Sequence, residues 1–280
     1  EDIQAGAEAA QGSRAERHVE RTARARKDGC ARSPDCELGL AQDARPADDE
    51  GFAAGVQELQ RLARRGPDHG GSFSDGALAF GHRRLAVIDL SVRANQPMVD
   101  AELGLALVFN GTIYNYPELR KELQARGYHF FSDGDTEVLL KAYHAWGAAC
   151  VEKLRGMFAL AIWDMQQHSL FLARDRFGIK PLYYSLAAQR LRFASNVQAL
   201  LAAGEVDTSI DAVALHHQFT LHAVVPAPHT ILTGVRKLAP ATTLTFDRHG
   251  HATERRYWQL HAQRPPRERP ESDWIDALHE

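Results

Sequence analysis

At 280 residues, with 44% apolar and 25% charged side chains, the chain has the size and make-up of a soluble globular protein able to bury a large core. A formal net charge of -3 gives no drive toward nucleic acid or a membrane surface, and the longest apolar runs, such as MFALAIW, are far too short to span a bilayer. Three cysteines do not suggest a disulfide framework, no signal-peptide pattern opens the chain, and the cytoplasm is the default expectation.

Residues 1–35 stand apart. Ile3 and Val19 are their only large aliphatic side chains, among seven basic and seven acidic residues. Such a segment buries too little surface to offset its ordering entropy and reads as a disordered tail. Order is expected from about Asp48, where Phe52, Val56, Leu59 and Leu62 recur at helical spacing before Gly66-Pro67. Strand-like runs follow at 77–82, 84–90 and 104–111. Two helices come next. In YPELRKELQARG, Leu119 and Leu123 share a face and Gly127 ends the helix. In DTEVLLKAYHAWG, Asp135-Thr136 could cap the start and Gly147 ends it. GMFALAIWD (156–164) and SLFLARD (169–175) read as two buried strands around a Gln-Gln-His turn. PLYYS and LRFAS form a further pair, helices are predicted over 196–203 and 211–219, and a hairpin has DRHG at its tip. After Trp258 the chain turns polar and Pro-rich, a linker, before the start of a helix in DWIDALHE. Many strands with paired helices between them predict a layered α+β fold, not a βαβ repeat.

Several constellations could carry chemistry. In LVFNGTIYN an apolar strand runs into Asn110-Gly111; an amide donor beside a glycine that admits close approach could form an oxyanion hole, or the pair could be a tight turn. Arg83 and Arg84 begin the next apolar run, where an arginine can clamp a carboxylate or sit in a salt bridge. Asp133 and Asp135 precede a helix; one could cap it and the other bind an ammonium group. ARDRFGIKPLYY reads as a structural turn, and Cys150 as a buried, inert thiol. His216, His217 and His222 lack the one-faced arrangement that a metal needs, and no metal site is predicted.

In order along the chain, RRGPD, GHRRLAVIDLS, QPM, VFNGTIYNYPELR, SDGDTEVLLKAY, LRGMFALAIWD, LARDRFGIKPLYY and LRFASNVQALL resemble the glutaminase domain of asparagine synthetase. That is a class II glutamine amidotransferase domain of the N-terminal-nucleophile hydrolase type. ALHHQFTLHAVVPAPHTIL also resembles the related N-acetylglutaminylglutamine amidotransferase, so the acceptor, aspartate or an acetylated glutamine dipeptide, stays open. The resemblance runs from about Arg64 to Trp258 and implies a four-layer αββα sandwich over residues 36–260, with 261–280 as linker and the start of a synthetase domain.

It also implies the chemistry. An N-terminal Cys thiolate attacks the glutamine side-chain amide with its own α-amine as base, ammonia leaves, and water hydrolyses the thioester to glutamate. Carried over by motif, Arg84 holds the α-carboxylate, and backbone at Leu85, Val87 and Ile88 lines the pocket. Asn110 and Gly111 form the oxyanion hole, Asp135 binds the α-ammonium, and Thr112 stands where the family often has a substrate-contacting Glu. Cys36, 29 positions before Arg65, is the candidate nucleophile after cleavage of Asp35–Cys36, although Glu37 replaces the family's Gly. The alternative is a non-catalytic glutamine-binding or remnant domain without a usable nucleophile. Implied partners are glutamine, a synthetase domain and a second copy as one oligomeric option, with no nucleic acid and no membrane. No cofactor is expected in this chain, because ATP and Mg belong to the family's synthetase domain.

Overall fold

The computed structural model describes residues 66–76, 78–187, 190–262 and 270–279. The expected tail over 1–35, Cys36 and the helix before Gly66 lie outside the described residues. The described residues open with the hairpin β1 (His69–Asp75) and β2 (Leu78–Arg84). Then come β3 (Met98–Asp100), β4 (Leu105–Ile113), α1 (Tyr116–Ala125), α2 (Asp135–Trp146) and the short α3 (Cys150–Lys153). The hairpin β5 (Gly156–Asp164) and β6 (Ser169–Arg174) leads to β7 (Tyr183–Ala187), β8 (Arg190–Ala194), α4 (Val197–Ala202) and α5 (Ala212–Thr220). Finally come β9 (Arg236–Lys237), β10 (Thr242–Phe246), β11 (Ala252–Arg256) and α6 (Glu271–His279).

Every strand pairing among the described residues is antiparallel, as an α+β fold requires. One six-stranded sheet has the order β11-β10-β6-β5-β4-β3. Its two faces are both apolar because both are covered. On one face Leu105, Leu107, Phe109 and Ile113 of β4 pack with Leu119, Leu123, Val138, Leu139 and Leu140 of α1 and α2. On the other, Ala106, Val108, Ala161 and Trp163 meet Phe80 of β2 and Leu182 and Tyr184 beside and on β7. That second layer consists of β1-β2 and β8-β7-β9, set side by side where Phe80 meets Phe193 at a ring distance of 5.8 Å. Ala199 and Leu200 of α4 cover its outer side against Ala194 and Val235. The layers therefore run helix, sheet, sheet, helix, the four-layer αββα arrangement.

Besides the short β3, α3 and β9, which the sequence did not announce, the structure departs from the sequence reading in three places. Residues 85–90 are not a strand: β2 stops at Arg84, and Leu85, Val87 and Leu90 carry their apolar side chains into solvent. A strand needs a partner, and Arg84 instead bonds back onto this segment. Second, β1 is a strand that HGGSFSD did not announce; Gly71 is required by proximity, since a Cβ there would lie 2.4 Å from the Gln96 carbonyl oxygen. Third, Asp135 and Thr136 lie within α2 and are not its N-cap: that residue is Gly134, and the Asp135 carboxylate also reaches the Ile113 N–H. No helix among the described residues is long and apolar enough to cross a membrane.

Candidate functional site

The site grows out of one edge of β4. Phe158, opposite Gly111 on β5, gives its N–H to Asp175 Oδ2 and its carbonyl to Asp175 N, both on the β6 side. Gly111 and Phe158 are thus a non-hydrogen-bonded pair, and odd-numbered β4 residues turn their backbone groups away from β5. On that far edge β3 pairs only with residues 105–107. Beyond it, among the described residues, side chains take up the backbone groups of that edge. Gln96 Oε1 accepts the Phe109 N–H at 2.6 Å, and His82 Nε2 donates to the Phe109 carbonyl at 3.2 Å. Asp135 Oδ2 accepts the Ile113 N–H at 3.0 Å. Between them, Gly111 presents its N–H to an edge with no strand on it among the described residues. Asn110 and Gly111 are part of β4, so the reading of a tight Asn-Gly turn is set aside.

The alternation of β4 puts Asn110 and Thr112 on the face of Ala106 and Val108, toward the second sheet. His82 and Arg84 follow Phe80 on the inner face of β2 and look into the same space. Burial pushes the His82 imidazole down to about 4, with help from the charges of Arg84 and His69. It is therefore neutral near pH 7, and since a carbonyl only accepts, Nε2 carries the proton.

Arg84 lies at the end of β2 and is almost fully buried. Its Nη1 donates to the Ser91 carbonyl and to Asn95 Oδ1, each at 2.9 Å, and its Nη2 to the Asp89 carbonyl. These bonds use three of the five N–H groups of a guanidinium and leave two for another acceptor. Asp89 in turn accepts from Ser91 N at 2.8 Å and from Asp133 N at 2.9 Å. Desolvation opposes its ionisation, but the hydrogen bonds from Ser91 and Asp133 and the Arg84 charge prevail and lower its pKa. Asp89 thus joins the loop after β2 to the loop before α2.

That junction brings Asp135 toward Arg84. Burial raises the Asp135 pKa above the ordinary aspartate value, against the Ile113 N–H, the N–H groups at the start of α2 and the Arg84 charge. Asp133 is different: its carboxylate is fully exposed, 4.0 Å from Arg120. Behind Asp135, Glu137 is wholly buried and bolts the preceding loop. It accepts from Phe131 N, from Ser132 N at 2.6 Å and Ser132 Oγ at 2.7 Å, and from Lys141 Nζ at 2.5 Å. A buried ion pair is tolerated only with its remaining bonds satisfied, which is the case here.

Two other sequence readings resolve into structure. Arg174 and Asp175 build the turn after β6: Asp175 accepts from Phe177, Ile179 and Lys180 N, while Arg174 donates to the Gly178, Lys180 and Leu238 carbonyls. Cys150 is fully buried, and desolvation pushes its thiol up to about 12, so it is no nucleophile at neutral pH.

Residues 39–258 match the family described as glutamine amidotransferase domain. The chain belongs to that family. It is 42% identical over 203 residues to asparagine synthetase [glutamine-hydrolyzing] 1 of Bacillus subtilis, an alignment covering 72% of this chain and 32% of the relative. It is 38% identical over 205 residues to asparagine synthetase [glutamine-hydrolyzing] 3 of the same organism, covering 72% and 33%. The chain therefore spans about a third of the length of these curated relatives. Among solved structures, glutamine phosphoribosylpyrophosphate amidotransferase from B. subtilis is similar over 66% of this chain and 36% of its own, at 22% identity and a TM-score of 0.49.

Within this amidotransferase domain, Asp135 bonds the edge of β4 that carries Asn110, Gly111 and Thr112, and Arg84 holds the loop that Asp89 ties to the loop before α2. Leu85 and Val87 lie on the adjoining loop with exposed side chains, and Ile88 follows them. Cys36 lies outside the described residues. Sequence reasoning missed Asp89, Asn95, Gln96 and His82, which hold the site together. The available signal was weak: a polar pair before a proline at a strand start, and a histidine in strand parity with Arg84.

Proposed function

We propose that this domain hydrolyses the side-chain amide of glutamine and releases ammonia for amide transfer to a carboxylate acceptor on a synthetase partner. The observation that supports it is a buried cation, Arg84, whose charge acts on a buried carboxylate, Asp135, beside the β4 edge at Gly111, which carries no strand among the described residues. Opposite charges so placed match the α-carboxylate and α-ammonium of an amino acid. Gly111 N–H and the Asn110 amide match the oxygen of a tetrahedral adduct formed further along the side chain. The nucleophile we assign is Cys36, freed by cleavage of Asp35–Cys36. Its sulfur bonds to the amide carbon, the α-amine takes the thiol proton and returns it to the departing ammonia, and water then splits the thioester to glutamate. Activation of the acceptor, with ATP and Mg, belongs in this reading to the partner and not to this domain. The acceptor is an aspartate or an acetylated glutamine dipeptide, in keeping with the two resemblances.

The expected result is glutamate release from glutamine by a chain whose sequenced N-terminus is Cys36. Cys36→Ser should abolish it, a loss of at least about 1000-fold, and Cys150→Ser should leave it unchanged. An intact Glu1 terminus with no glutamate released would overturn the reading, as would equal activity in Cys36→Ser.

A further inference from the structure

The β3–β4 register pairs Met98 with Leu107, and one hydrogen-bonded step further it would set Gln96 opposite Phe109. There a ladder would give the Gln96 backbone carbonyl to Phe109 N–H and take the Phe109 carbonyl in return. Neither bond is made. The Gln96 carbonyl instead packs toward Gly71. The Gln96 side chain fills half of the vacated place through Oε1, and His82 Nε2 fills the other half. The next odd position, Gly111, then has no strand on that edge among the described residues. The adjacent Asn95 side chain holds Arg84, so one dipeptide touches both ends of the proposed glutamine site.

We propose that Gln96, with His82, is a positioning residue. It ends sheet pairing one step before the oxyanion donors by substituting side-chain atoms for a strand, and so keeps Gly111 N–H both free and fixed. Neither residue touches substrate in this role. The inference rests on the glutaminase reading above, and it acts on kcat and not on glutamine binding, because the donors meet full charge only in the transition state.

The test uses the whole chain in three forms: wild type, Gln96→Leu, which keeps volume without an acceptor, and Gln96→Glu, which restores an oxygen at the same place. Two quantities are read: hydrogen exchange at the amides of Phe109 to Gly111, and glutaminase kinetics. Gln96→Leu should exchange at least about tenfold faster there and lose about 10- to 100-fold in kcat, with KM within about threefold of wild type. Gln96→Glu should recover most of both. Unchanged exchange, a kcat loss without faster exchange, or equal defects in both variants overturns the proposal. If Gln96→Leu does not fold, His82→Phe takes its place with the same expectation, and unchanged exchange and kcat in that variant overturn it. A wild-type chain that releases no glutamate sinks the glutaminase reading, while the exchange comparison still decides whether Gln96 holds this edge.

Discussion

Gly111→Ala should cost about 3–5 kcal/mol of stability and remove glutaminase activity together. Gly111 has φ of +154°, a conformation that L residues rarely adopt, and a Cβ there would lie 2.1 Å from the Met157 carbonyl oxygen and 2.8 Å from Phe158 Cα. Both obstacles are backbone of β5, a central strand flanked by β4 and β6, so neither can swing aside as a side chain would. Relief comes only from pushing β4 off β5, which moves the very amide proposed to meet the oxyanion. For a domain of this size the expected loss is roughly 6–20 °C in Tm, read by thermal melting. Gly127→Ala is the control: its φ is +91° but nothing lies within 4 Å of its Cβ position. It should lose only about 1–2 kcal/mol, the cost of the backbone conformation alone. Equal losses at the two sites would show that the β5 contact is not the cause.

This glycine bears on what the sequence could and could not announce. The central strands of the six-stranded sheet, β4, β5 and β6, were legible because both of their faces are buried. Runs such as LALVF and FALAIW have one physical explanation, a strand covered on both sides, and they appear where expected. The same rule misled at RLAVIDL. Its composition is that of a covered strand, yet Leu85, Val87 and Leu90 are exposed, because Arg84 and Asp89 spend their hydrogen bonds on folding the segment into a loop. Composition records what a segment could bury, not whether a buried cation will claim its carbonyls. HGGSFSD failed in the opposite sense: it lacks the β-branched residues of a strand but has the small residues that its neighbours demand.

The ends of the proposed site were legible by residue type and its framework was not. Each residue type admitted a role without deciding it, since an Asn-Gly pair also reads as a turn, an Arg at a strand start as a salt bridge and an Asp before a helix as a cap; a resemblance across many motifs in order gave them roles. Asn95 and Gln96 carry no such mark. A buried amide that replaces a strand is visible only once the register of β3 on β4 is known, and register depends on contacts distant in the chain. Glu137 illustrates the same limit. Read as a sequence it is a helix-surface glutamate with Lys141 four residues on, a pair worth a few tenths of a kcal/mol. In the fold it is fully buried and holds the loop that delivers Asp135.

Asp135→Asn should separate function from stability, and in opposite directions. The pKa of Asp135 is raised chiefly by burial, so the folded state disfavours its ionised form. A group with a raised folded pKa contributes stability below its unfolded pKa and loses that contribution as pH rises through the folded value. At neutral pH the Asp135 carboxylate is therefore a cost to the empty domain. Asparagine keeps an oxygen for the Ile113 N–H and carries no charge to desolvate. The glutamine-free variant should melt no lower than wild type at pH 7, and its advantage should vanish as the solution is acidified. Glutamine affinity should fall about 100-fold, because the charge-assisted bond to the α-ammonium is lost in a buried place. In the wild type, the same raised pKa means that glutamine affinity declines at a higher pH on acidification than an ordinary exposed aspartate would allow. Melting curves across pH, with glutamine titrations by calorimetry, measure both effects. A variant that melts well below wild type at pH 7 yet binds glutamine equally well would show that Asp135 is a structural carboxylate, and the charge pairing with Arg84 would lose its place in the proposed site.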